Sequence, residues 1–326
     1  MKISIKFLTA TFLIISLNVT AKTTRPVDLH GQLQVQGNQL INKDGVPPQL
    51  RGISLSWSIW EGKKYYNPEV VDWLTKDFKI NLLRASMGVQ PDGGYLQNSK
   101  EHMRLMVNVI DQAIKNGIYV LIDWHDHNAE QHLEASKEFF STMAQKYGGN
   151  PNIIYEIFNE PVHQSWQEVK NYSTEVIKTI RKYDSKNIIV IGSPRWDQEV
   201  DMAALDPIAG FDNLVYSFHF YSSDPGHQEQ LRAKADLAIK RGIALFVTEW
   251  GVAQSNGNGE INHEKTNLWL DWLEKNRLSW AVWHITDKNE STAIIKPGTS
   301  PKGNWTEADL TECGTYVREQ IRRLNK

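Results

Sequence analysis

Hydrophobic positions along the chain fall into two patterns that take turns. Short, nearly continuous apolar or β-branched runs occur at Leu50–Leu55, Asn81–Ser86, Ile118–Asp123, Ile153–Phe158, Asn187–Ile191, Leu214–Phe218, Ile243–Thr248 and Ser279–Trp283. Runs without polar alternation predict parallel strands covered by helices rather than half-exposed antiparallel ones. Between them, apolar residues recur at three- and four-residue spacing over Pro68–Phe78, Met103–Lys115, Glu134–Tyr147, Trp166–Tyr183, Glu229–Lys240, His263–Lys275 and Ala308–Arg323. Those segments read as helices. Asn67 caps the first, with Pro68 at its opening position, while Asn116-Gly117 and Arg241-Gly242 supply glycine where the chain must turn left-handed to stop. Eight strand–helix units in series predict an α/β fold of the (β/α)8 barrel class. Ahead of them, Leu33–Val35 and Leu40–Ile41 flank Gly37-Asn38 and read as a short N-terminal β-hairpin placed to plug the bottom of the barrel.

Length agrees with one such domain. The chain has 326 residues. Its start carries Lys2 and Lys6, an apolar run from Phe7 to Ile15, and Val19-Thr20-Ala21 at a signal-peptidase position. Residues 1–21 are therefore expected to be a targeting peptide, too short in its apolar part to span a bilayer, and 22–326 a single catalytic domain. That places the product in a periplasm or outside the cell. A formal charge of −2 lacks the basic footprint of nucleic-acid binders. A single cysteine, Cys313, leaves packing to hold the fold without an internal disulfide. Twelve tryptophans suit either a large core or a cleft that stacks on sugar rings, and only their positions can separate these.

In this architecture, functional side chains emerge from the C-terminal ends of strands. Reading those ends yields Arg84, His125, Asn159, Glu160, His219, Tyr221, Glu249 and Trp283. A purely structural barrel would carry small or apolar residues there. Asn159-Glu160-Pro161 ends the fourth strand and Thr248-Glu249-Trp250-Gly251 the seventh. Either motif alone is weak, but together they offer the paired carboxylates that glycoside hydrolysis requires. One protonates the leaving oxygen while the other attacks the anomeric carbon, and a retaining enzyme holds them about 5–5.5 Å apart. Glu160 is then the acid/base and Glu249 the nucleophile. Arg84 would aim Glu249, Tyr221 would donate to it, His219 would orient Glu160, and Asn159 would bind the 2-hydroxyl. Trp283 offers a flat face under the reacting sugar.

These segments resemble glycoside hydrolase family 5, in particular its bacterial endoglucanase subfamily 2. The likeness runs from about His30 to Arg323 through Leu83-Arg84-Ala85-Ser86-Met87, Ile122-Asp123-Trp124-His125, Ile154–Pro161, Phe218-His219-Phe220-Tyr221, Phe246–Gly251, Trp280-Ala281-Val282-Trp283 and Asp287-Lys288-Asn289-Glu290. The resemblance implies a cofactor-free retaining endo-β-1,4-glucanase whose eight strand-end residues form the shared active-site set. It also implies that Lys288 and Glu290 bind sugar hydroxyls on the non-reducing side, that Trp60 stacks there, and that Trp196 serves the leaving-group side. Ser56 and Gly88 depart from relatives carrying a histidine and a tyrosine, and Gly88 is expected to leave the cleft wider.

Other chemistries find less support. Asp123-Trp124-His125-Asp126-His127 with His132 could suggest a metal site, but no further ligand is evident on a later strand, so none is expected and His127 and His132 are placed in an exposed loop. No glycine-rich turn follows the last strands to hold a phosphate. The partner expected is a β-glucan polysaccharide, with neither nucleic acid nor membrane, and a monomer. A β-mannanase or mixed-linkage glucanase on the same barrel stays open, as does a binding barrel without catalysis.

Overall fold

The computed structural model describes residues 24–325, so the expected targeting peptide lies outside the described residues. A two-stranded antiparallel hairpin comes first, β1 (Gln34–Gln36) with β2 (Gln39–Ile41). Eight parallel strands follow: β3 (Arg51–Leu55), β4 (Leu82–Gly88), β5 (Tyr119–His125), β6 (Ile153–Glu156), β7 (Ile188–Ile191), β8 (Leu214–Tyr221), β9 (Leu245–Gly251) and β10 (Trp280–Ile285). Each pairs with its neighbours in sequence, and β10 returns to β3 to close the barrel. The expected (β/α)8 fold with its hairpin is what the chain forms.

The strands look uniformly apolar because both faces are buried, yet the two faces differ in kind. Outward side chains such as Leu83, Ala85 and Met87 pack with Val120, Ile122 and Trp124 beneath the helices. The alternate, inward positions start apolar at the strand origins, with Leu82, Tyr119, Leu121, Ile154, Val215 and Phe246 forming a separate interior cluster. Further along the same inward rows stand Arg84, Asp123, Glu156, Ser217 and His219, all buried. The period-two alternation of a strand carries one row from a dry base to a charged rim.

The hairpin closes the base. Leu33 and Leu40 join the interior cluster, the Tyr119 hydroxyl donates to the carbonyl of Gly31, and the Val35 N–H donates to Asn213. Helices cover the barrel wall. Glu229–Lys240 falls where the periodicity predicts it, whereas Tyr95–Asn116 starts earlier, through an irregular residue at Asn98. The last helix begins later than expected, at Glu312, because Thr311 caps it by accepting from the N–H of Gly314. The segment predicted as one helix over Pro68–Phe78 widens to a π turn at Leu74–Phe78.

Leu33 sits at the end of the barrel remote from the charged rim, so its replacement separates stability from chemistry. Leu33→Ala is expected to cost about 2–5 kcal/mol, as a buried large-to-small change does. Urea denaturation should register that loss, while turnover per folded molecule stays at the wild-type value.

Candidate active site

Arg84 organises the rim. Its guanidinium, wholly buried, donates from Nε to Glu156 at 2.7 Å, from Nη1 to Glu249 at 2.8 Å and from Nη2 to the Asn159 carbonyl oxygen at 2.6 Å. Asp123 lies 3.0 Å from Nη2. Burial disfavours the charge, but Asp123, Glu156 and Glu249 hold it well above its ordinary range. The benefit is reciprocal. Burial pushes the Glu156 carboxyl up, yet Arg84 and His219 bring it down to about 2. Asp123 also faces the Arg84 charge, but burial, helped by repulsion from Glu156 and Glu249, outweighs it and raises Asp123 well above the usual carboxylate range. His125, bonded to Asp123 at 2.7 Å, is depressed by burial and by Arg84, so its imidazole is neutral.

The two expected glutamates converge. A carboxylate oxygen of Glu160, one of Glu249 and a ring nitrogen of His219 all lie within 4.8 Å of one another. Glu249 stands inside β9, held by Arg84 on one oxygen and by the Tyr221 hydroxyl, 2.6 Å away, on the other. Burial beside this carboxylate keeps the Tyr221 phenol protonated far above its usual range. Glu160 lies in the loop beyond β6, which ends sooner than expected, and its φ is +52°. A left-handed glutamate is uncommon, and the surroundings must over-determine it. His219 Nδ1 is 2.9 Å from Glu160 Oε1, and His219 Nε2 donates to Thr248, which donates in turn to Glu156. Burial disfavours the imidazolium, but Asp197, Glu156 and Glu160 raise its proton affinity well above normal. Burial raises Glu160 too, and the hydrogen bond and charge of His219 outweigh it, leaving Glu160 below its ordinary value. One proton is thus shared by the Glu160–His219 unit.

Two adjoining hollows form one groove around this pair. One, about 440 Å³, is lined by Trp57, Ile59, Trp60, Trp283, Lys288 and Glu290; the other, about 540 Å³, by Trp196, Gln198 and His227. Glu160, Tyr221 and His127 border both. Trp60 and Trp196 are 61% and 44% exposed, so each indole leaves a face open to the groove. Lys288 and His284 each approach Glu290 at 2.7 Å. Burial pushes Glu290 up, but His284 and Lys288 bring its carboxyl to about 2. Trp283 stacks almost parallel to His125 at 5.4 Å and faces the groove. Asn159 completes the set, fully buried, with its amide nitrogen 3.5 Å from His125.

Three expectations need correction. His127 is no bystander on an exposed loop, since its Nδ1 is 3.8 Å from Glu160 Oε2 and it lines the groove. His132 is also engaged, pairing with Asp126 at 2.7 Å. Gly88 does not widen the cleft, because Ile59 fills the space: a Cβ built at 88 would stand 3.0 Å from Ile59 Cγ1. Ser56 lines the groove beside it. Sequence reasoning also passed over Trp57, Gln198, His227 and Asp197. Only Gln198 and Asp197 carried a signal, as neighbours of Trp196.

Carboxylate and imidazole atoms of Glu156, Asp197 and His219 cluster closely enough to ligate a cation, but Arg84, Thr248 and backbone N–H groups already occupy these oxygens. A cleft with paired carboxylates at the C-terminal rim of a parallel barrel, flanked by exposed indoles, defines a barrel glycoside hydrolase. A family model described as Cellulase (glycosyl hydrolase family 5) matches residues 41–289. The chain belongs to that family. It is 41% identical to Endoglucanase Z of Dickeya dadantii over 292 residues, covering 89% of this chain and 66% of that protein. An endoglucanase of Clostridium saccharobutylicum is 36% identical, over 95% of this chain and 69% of its own. Among solved structures, a Cytophaga hutchinsonii protein superposes with a TM-score of 0.90 at 44% identity, covering 93% of this chain and 98% of that one. The catalytic domain of a Thermobifida fusca endoglucanase, solved in complex with cellotetraose, gives 0.87 at 30%, over 92% and 100%. This chain spans about two thirds of the two curated relatives' length and nearly all of the solved domains.

Arg84→Ala should strand Asp123, Glu156 and Glu249 without their cation, at a cost of about 3–5 kcal/mol. The folded-state pKa values of Asp123 and Glu156 would rise without the Arg84 charge that lowers them, so the native state of the variant binds more protons than the unfolded chain and its stability falls as pH increases. Urea melts at pH 5 and pH 8 should therefore show the larger deficit at pH 8.

Proposed function

We propose that this chain is a retaining endo-β-1,4-glucanase acting on β-glucan by double displacement. The carrying observation is the close approach of Glu160 and Glu249, each with a different set of partners. Glu249 is gripped by Arg84 and Tyr221, which suits a nucleophile aimed at one carbon. Glu160 shares a proton with His219, which suits a group that gives a proton and later takes one.

In the first step a Glu249 oxygen forms a bond to the anomeric carbon as the bond to the leaving sugar breaks. The leaving oxygen takes the proton from the Glu160–His219 unit. In the second step Glu160 removes a proton from water, whose oxygen attacks the same carbon and releases Glu249. Two inversions restore the original anomer. The groove, open towards Trp60 on one side and Trp196 on the other, favours attack within a chain rather than at its end. Remote contacts at Trp60, Lys288 and Glu290 supply binding energy that helps to distort the reacting sugar. The cellotetraose complex of the Thermobifida relative supports a β-1,4-glucan as substrate. The site is complete within one chain, which fits a monomer, and the N-terminal residues fit export. Among the described residues no helix is long and apolar enough to cross a membrane.

Glu249→Ala is expected to abolish turnover on every substrate. Glu160→Ala should keep forming the glycosyl-enzyme from an aryl cellobioside with a good leaving group, and azide should restore turnover and give the β-glycosyl azide. A β-azide from Glu249→Ala instead, or full activity of both variants on polymer, would reverse or remove the assignment. Rates on carboxymethylcellulose, mannan and barley glucan test the substrate, and the highest rate on mannan would make the enzyme a mannanase.

Trp60→Ala is expected to lower kcat/KM on polymer and to change the cleavage pattern of cello-oligosaccharides, read by product chromatography. An unchanged pattern would deny Trp60 a place in substrate binding.

A further inference from the structure

The segment after β7 is bent hard against Glu160. Gly192 runs so close that an added Cβ would lie 2.4 Å from the Phe158 carbonyl oxygen, and the Trp196 N–H donates to the Pro161 carbonyl at 3.0 Å. Arg195, Trp196 and Asp197 each have a φ of +58°, three left-handed non-glycine residues in succession. Such backbone persists where neighbours enforce it, and it concentrates at functional sites. Its outcome is the placement of one carboxylate. Asp197, fully buried, accepts through Oδ2 from the Glu160 N–H at 3.0 Å and through Oδ1 from the Ser193 N–H. The same Oδ2 is 3.6 Å from His219 Nε2, on the ring edge opposite the one bonded to Glu160.

We propose that Asp197 is a positioning residue for the acid/base: it pins the Glu160 backbone in its left-handed conformation and, through His219, keeps a proton available to the Glu160 carboxyl. This rests on Glu160 being the acid/base. A negative charge at this place stabilises the imidazolium, and the imidazolium is the store from which Glu160 is reprotonated. The groups facing Asp197 are His219 from β8, Glu156 from β6 and Glu160 from the following loop. Those facing the Glu160 carboxyl are His219, His127 and Arg84, with the Glu249 carboxylate within 4.8 Å and Tyr221 and His227 also near it. Burial, offset by His219, lifts Asp197 to about 7, so its charge appears as the pH rises through neutrality.

Neutralising Asp197 therefore lowers the proton affinity of the Glu160–His219 unit. In Asp197→Asn the alkaline limb of kcat/KM on an aryl cellobioside with a poor leaving group should move to lower pH by about one unit. On a substrate with a good leaving group, which needs little protonation, glycosylation should be spared, so that at alkaline pH the two losses differ about tenfold. Asp197→Ser, which keeps a hydroxyl to accept one N–H, serves if the amide variant folds poorly, with circular dichroism and melting as controls. Superimposable pH profiles overturn the proposal. So does an equal loss on both substrates at every pH, which is the signature of a merely structural residue. Glu160→Ala run in parallel separates the two ideas. If its loss ignores the leaving group, the acid/base reading falls and takes the proposal with it. If that dependence holds while the Asp197 limb stays put, only the role of Asp197 fails.

Discussion

Arg84 stands buried among Asp123, Glu156 and Glu249, and a carboxylate cluster of that density survives inside a barrel only because one guanidinium reaches all three. Each buried anion alone would cost several kcal/mol or take up a proton. Arginine suits the task where lysine would not, since its planar fork spreads charge and donors over separate acceptors. The allocation is unequal, and the inequality has consequences. Glu156 and Glu249 receive direct hydrogen bonds, whereas Asp123 also bonds His125, whose imidazole is kept neutral by burial and by the nearby Arg84 charge. Glu249 and the Asn159 amide are both aimed from the same point.

Glu160 is held by different means. Glu249 sits within a strand and inherits its rigidity from the barrel ladder, while Glu160 lies on a loop in a left-handed conformation that costs on the order of 1–3 kcal/mol. That conformation is held by contacts from another loop rather than by regular structure. One carboxylate is therefore fixed by topology and the other by tertiary contacts, and the second kind of support is open to change without disturbing the barrel.

Much of this was legible in the sequence. Continuous apolar runs revealed all eight strands because burial on both faces is what such runs mean, and counting strand ends brought Arg84, His125, Glu160, His219, Tyr221 and Glu249 together before any coordinates did. What escaped had physical reasons. Glu156 reads as an ordinary strand residue until the alternation of β6 is known to point it inward. Asp197 and His127 owe their places to loop geometry, which no periodicity encodes. Asn159 emerged with the rest, but its bond to Arg84 runs from β4 to the loop beyond β6 and shows only in three dimensions, whereas Asp123 is two residues before its partner His125 on the same face of β5. The helix boundaries at Tyr95 and Glu312 were missed for a humbler cause, since caps and irregular turns shift ends without altering the apolar stripe.

Ile59 and Gly88 illustrate a bond between positions that share no chemistry. The isoleucine occupies the volume that any side chain at 88 would claim, with only 3.0 Å between Cγ1 and the hypothetical Cβ. Neither position is free to vary alone: enlarging 88 first produces a collision, and shrinking 59 first leaves a void in the wall of the groove. A larger residue at 88 therefore calls for a smaller one at 59, and the two positions set the contour of this wall together.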